Sequence, residues 1–157
     1  MEGKFAHELV AGDEYAPLEF VVNEDYNQQM LFAVEDYNPI YLEGRHGQPP
    51  VVHPVLLMQM SPRTRSPSYR QAPGMGSAFA RDHSVYLGAA HVGTTLRVTW
   101  KVHKTYEQRG KIYQDYTAWI RDAAGRDILK RDMSSTFFSL GKVKTYGLAD
   151  VKVGDGK

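Results

Sequence analysis

The chain has 157 residues, 19 Lys+Arg against 18 Asp+Glu, a formal net charge of +1 at pH 7, and no cysteine. That length fits one domain with a real core better than two, and the near balance of charge offers no overall field for nucleic acid or an anionic membrane. The lack of thiols excludes disulfides, thiolate metal sites and a cysteine nucleophile, and suits a reducing, cytoplasmic setting.

The N-terminal stretch has no apolar core of the signal-peptide kind, and no apolar run approaches the ~20 residues of a membrane span, so a soluble protein is expected. Leu18 to Val22, a β-branched and apolar run after Pro17, predicts a first strand. Asn23 then reads as an N-cap, with Glu24 and Asp25 in the first turn, where acidic groups suit the helix dipole. Tyr26, Met30, Ala33, Val34 and Tyr37 recur at helical spacing and predict the buried face of that helix.

Pro39 disfavours helical geometry at Asn38, so the helix should stop near Asp36 and leave its carboxylate at the exit. A carboxylate there lies at the unfavourable end of the dipole, a placement that function explains more readily than stability. An Asx turn through Asp36 and Asn38 is the structural alternative. The Pro- and Gly-rich stretch from Asn38 to Val52 reads as a loop. Pro54 suits a first helical position, and Val55 to Met60 behind it are apolar on nearly every side, which predicts a buried central helix.

Ser61 to Gly76 reads as a loop inside one fold, and Ser77 to Leu87 as a strand. Leu96, Val98, Trp100 and Val102 alternate with Arg97, Thr99, Lys101 and His103, the period of a strand with one buried face. Ile112 to Ile120 and Arg126 to Leu140 follow, each after a short Gly-containing turn, so the three should form an antiparallel meander. The expected architecture is α+β, a curved antiparallel sheet around one apolar helix, as a single domain over residues 1–140. Residues 141–157 read as a polar tail or an arm on a partner subunit.

On these residues the chain resembles the MaoC-like dehydratases and (R)-specific enoyl-CoA hydratases, which have the hot-dog fold. The resemblance spans about Leu18 to Leu140. AVEDYNPIY is similar to the hydratase motif Asp-x-Asn-Pro-aliphatic-His, PPVVHPVLL to the start of the central helix, and the meander to the closing strands. It implies a homodimer, or a heterodimer with another hot-dog subunit. It further implies an acyl thioester of coenzyme A or acyl carrier protein as substrate carrier, with no other cofactor and no metal. The implied activity is hydration of an enoyl thioester or dehydration of a 3-hydroxyacyl thioester. Asp36 would be the base, with Tyr41 and His53 assisting, and burial beside the apolar helix would raise its basicity.

The N–H groups of Val55 and Leu56 would form the oxyanion hole, Asn38 would hold the turn, and Arg63 and Arg65, with Arg70 nearby, would meet coenzyme A phosphates. The departure from the motif is Tyr41, which occupies its His position; a phenol of pKa about 10 donates a proton or hydrogen bond better than it accepts one. A non-catalytic hot-dog subunit that completes a partner's acyl tunnel, and a hot-dog thioesterase, are the alternatives. The other histidines, His7, His46, His83, His91 and His103, are scattered without ligand spacing.

Overall fold

The computed structural model describes residues 3–141. The tail expected beyond Gly141 lies outside them. Five strands, β1 (Glu14–Val21), β2 (Met75–Tyr86), β3 (Thr95–Gln108), β4 (Lys111–Asp122) and β5 (Asp127–Ser139), make one sheet in the order β1-β3-β4-β5-β2. Every pairing is antiparallel. Three helices precede β2: α1 (Glu24–Val34), α2 (Pro39–Leu42) and α3 (Pro54–Met60). Among the described residues no helix is long and apolar enough to cross a membrane.

The expected meander is β3-β4-β5, with strands longer than the alternation alone marks. Its first hairpin turns on Arg109 and Gly110, both at positive φ (52° and 70°), the two-residue geometry whose twist matches the flanking strands. β1 starts at Glu14, earlier than expected, and contains Pro17. A proline is tolerated there because β1 is an edge strand, and its register shifts between Tyr15 and Leu18.

Leu96, Val98, Trp100 and Val102 of β3, Tyr116, Ala118 and Ile120 of β4, and Leu129 and Met133 of β5 line the inner face, and Leu56 and Leu57 of α3 pack on it. Each of those leucines contributes about 1.5–3 kcal/mol by leaving water. The Trp100 indole N–H locks the end of α3 by donating to the Ser61 carbonyl at 2.6 Å. Trp119 faces outward instead, with Arg121 and Lys130 over its ring.

Two expectations are corrected. α3 is not buried all round: Leu56 and Leu57 are, Gln59 is exposed, and Val55, Met58 and Met60 are half-buried, because a single sheet covers only one side of a helix. The buried face of α1 is Asn27 and Leu31 with Met30 beside them, not the Tyr26-Ala33-Val34-Tyr37 set. Tyr37 leaves the helical row because Glu35 adopts the left-handed conformation (φ 55°) and turns the chain.

The C-terminus of α3 is capped by an ion pair whose arginine is buried and whose aspartate reaches the surface. Arg131 of β5 donates through Nη1 to the Met58 carbonyl (2.9 Å) and to Ser61 Oγ (2.5 Å), and through Nη2 to Asp82 of β2. A cation at this end suits the helix dipole, and a guanidinium has donors enough for all three partners.

Candidate active site

Asp36 sits one residue past the left-handed Glu35, with its backbone N–H on the Leu31 carbonyl at 3.1 Å. The Asp36 carboxylate does two things at once. Oδ1 accepts from the Asn38 N–H at 3.1 Å, the Asx turn that was the structural alternative, and Oδ2 lies 3.3 Å from His53 Nε2. Asn38 in turn caps α2, accepting from the Ile40 N–H at 3.1 Å, with Pro39 at the first helical position. The stretch expected to be all loop therefore contains a short helix that carries Tyr41 inward.

His53 is the N-cap of α3, and Nδ1 of its imidazole accepts from the Val55 N–H at 3.3 Å. With Nδ1 accepting, the neutral ring carries its proton on Nε2 and donates it to Asp36. Tyr41 meets the same ring edge-on, centroids 4.9 Å apart. Asp36, Tyr41 and His53 thus lie together at the head of α3.

Two parts of the expectation fail. The Asp36 side chain is 40 % exposed, so the burial that was to sharpen it as a base is absent; the His53 side chain behind it is only 7 % exposed. The start of α3 also offers no free donor. Pro54 has no N–H, the Val55 N–H goes to His53 Nδ1, and the Leu56 N–H goes to the His53 carbonyl at 3.0 Å. The physical reason is the cap itself: His53 folds its side chain over the orphan amides that an oxyanion would use.

The arginines divide as well. Arg63 is 2 % exposed, with Nη1 on Gln114 Oε1 at 3.0 Å and its guanidinium over the rings of Tyr116 and Phe137, so it cannot meet a coenzyme A phosphate at the surface. Arg65 is exposed, but its Nε donates to the Gln59 carbonyl (3.2 Å). Arg70 is exposed and lies over Phe5.

Two residues belong to the site without having been expected there. Asn27, fully buried on α1, accepts the His53 N–H at 2.8 Å on Oδ1 and donates through Nδ2 to the carbonyls of Tyr41 (3.1 Å) and Val51 (3.2 Å). It ties α1, α2 and the start of α3 together. An asparagine one turn before Leu31 on the buried face was the available signal. Tyr86, at the end of β2, donates to the Pro54 carbonyl at 3.1 Å, and burial and the nearby Tyr41 push its hydroxyl pKa up. No local pattern could place Tyr86 here, since β2 reaches α3 only through the sheet.

Asn27→Ala is expected to cost about 2–4 kcal/mol, because it leaves buried backbone groups without partners. Urea denaturation measures it. A change under 1 kcal/mol would show that the three bonds carry little.

No family model and no curated protein matches the sequence. Solved structures do. An (R)-hydratase from A. caviae involved in PHA biosynthesis is 20% identical, with a TM-score of 0.66 over 83% of this chain and 98% of that one. A MaoC-like dehydratase from Rhodospirillum rubrum is 14% identical, with a TM-score of 0.71 over 87% and 98%. A mutant of a fluoroacetyl-CoA-specific thioesterase is 17% identical, with a TM-score of 0.55 over 84% and 90%. What these structures share with this chain is the curved antiparallel sheet around a short central helix, and on that architecture the protein is a hot-dog-fold protein.

Proposed function

We propose that the protein is an acyl-thioester lyase of the hydratase/dehydratase type, acting on a coenzyme A or carrier-protein thioester. The observation that carries this reading is the Asp36–His53 pair, 3.3 Å apart at the N-terminus of α3 and flanked by Tyr41. Asp36 takes a proton from water, and the water oxygen bonds to C3 of the enoyl thioester. The π electrons move onto the thioester oxygen, and the proton held by Asp36 returns to C2, so the net change is addition of one water. His53 positions Asp36 by donating from Nε2. With the α3 amides engaged, the developing oxyanion falls to the Tyr41 hydroxyl, a role that fits a phenol better than the base role of the histidine it replaces. Asn38 holds the turn, and the half-buried side chain of Val55 contributes contact area to the acyl group.

A second reading, a non-catalytic subunit that binds the acyl group for a partner, is favoured by the one observation that all α3 amides near His53 are engaged. Incubation with crotonyl-CoA and with 3-hydroxybutyryl-CoA, following enoyl absorbance and free thiol separately, divides the readings. The lyase changes the absorbance, a thioesterase releases thiol, and a binding subunit does neither. Tyr41→His is expected to lower the native hydration rate if the phenol is the donor; an unchanged rate would remove Tyr41 from the mechanism.

Pairing with a second hot-dog unit is part of the proposal. Strand β2 is an edge whose neighbourhood exposes Phe79, Val85, Tyr86, Leu87 and Phe138, and an unpaired apolar edge invites another strand. Sedimentation is expected to give a dimer at micromolar concentration. A monomer with no partner in pull-down would count against it.

A further inference from the structure

Arg63 lies in the short 3-10 turn after α3 and is 2 % exposed. Among the described residues no carboxylate lies within 4 Å of it, and its one hydrogen-bond acceptor is neutral, Gln114 Oε1 at 3.0 Å. The other buried arginine, Arg131, has Asp82. A guanidinium has five N–H donors, and taking one out of water without an anion is costly. The rings of Tyr116 and Phe137, 4.6 and 4.8 Å from its central carbon, offset part of that cost through their faces, and Nη1 is the one edge donor with a hydrogen-bond partner among the described residues.

Arg63 also lines a cavity of about 120 Å³ between the turn and the sheet, whose other polar walls are Thr64, Ser77, Tyr116 and Ser135. Residues bearing hydroxyls and one cation line this space, and among the described residues no acidic one does. At roughly 30 Å³ per water it holds a group of a few heavy atoms.

We propose that this cavity is a carboxylate-binding site, with the free edge of Arg63 as its fork and the hydroxyls of Ser135 and Tyr116 beside it. The planar fork matches a carboxylate bidentately, and the surrounding hydroxyls donate to its outer lone pairs. The positive charge is felt locally: burial pushes the hydroxyls of Tyr15 and Tyr116 up, and Arg63 opposes it at both. Two sources present the same chemistry, a free small carboxylate and the far-end carboxylate of an acyl thioester. The site itself does not depend on the lyase reading; only the second source does.

The test uses the full chain. In the first arm, acetate is titrated at constant ionic strength with chloride as control, following the Arg63 Nε–H resonance. Saturable shifts with acetate and none with chloride are expected, there and at the Ser135 backbone amide beside the cavity, and the Ser135 shift should disappear in Arg63→Met. If that variant does not fold, Ser135→Ala keeps the cation and is expected to weaken binding several-fold. In the second arm, glutaryl-CoA and pentanoyl-CoA are compared by calorimetry. A preference for the first of roughly tenfold or more, lost in Arg63→Met, assigns the carboxylate to the acyl group. Acetate binding with no such preference assigns the site to a free carboxylate. Absence of any Arg63-dependent response in both arms overturns the proposal. Failure of both acyl-CoAs to bind, with acetate still bound, strikes the acyl-thioester reading and leaves the carboxylate site intact.

Discussion

Asp36→Asn is expected to reduce hydration of crotonyl-CoA by at least the ~10²–10⁴-fold of a lost general base, with the fold intact. Asparagine has the shape of aspartate, but its amide cannot take the proton that water must give up. The structural cost is small. One oxygen can still accept either from the Asn38 N–H or from His53 Nε2–H, and the position the amide nitrogen takes loses its bond. Because the Asp36 side chain is 40 % exposed, water can cover the group left without a partner. Circular dichroism should therefore be unchanged while the enoyl absorbance stays constant. A variant that hydrates at the parental rate would show that Asp36 is only the acceptor of a turn, and with it the lyase reading would fall.

A stability effect as large as that of Asn27→Ala is expected at the far end of the same helix. Asp82→Ala leaves the Arg131 guanidinium, with a side chain 5 % exposed, without its anion. Removing the partner of a buried charge costs more than the pair is worth, because the remaining charge stays desolvated. About 3 kcal/mol is expected, the lower end of the usual range, since the Asp82 side chain keeps 30 % exposure and water can partly replace it. Against a total stability of ~5–15 kcal/mol this is a large fraction.

Adding Arg131→Met to Asp82→Ala should recover part of the loss. It removes the stranded charge, although it also removes the donors on the Met58 carbonyl and Ser61 Oγ. Guanidinium denaturation of the single and double variants measures this coupling. If Asp82→Ala moved stability by less than 1 kcal/mol, the pair would contribute little and the cap on α3 would rest on Ser61 and Trp100.

Local rules carried the sequence reading a long way. Alternation along β3, the Arg109-Gly110 turn, the Asn23 cap and Pro54 at the head of α3 are each decided by a residue's own backbone or by neighbours within one turn, and the structure has them all. The motif from Asp36 to Tyr41 was legible for the same reason, down to the Asx turn and the proline after Asn38. What the sequence could not state was which groups were already engaged. Val55 and Leu56 look like free helix-start amides until the His53 rotamer is known, and that rotamer depends on Asp36, seventeen residues away in the chain.

Arg63 and Arg131 are both arginines in polar surroundings of the sequence, yet the fold buries both, Arg131 beside Asp82 and Arg63 beside a wall of hydroxyl-bearing residues. Pairing of β2 with β5 places Asp82 and Tyr86 against opposite ends of α3, a consequence of register over a long separation that no local pattern encodes. The sequence by itself determined the elements, their order and the motif; the tertiary structure decided burial, hydrogen-bond partners and the direction of each charged side chain, because those depend on contacts between residues far apart in the chain.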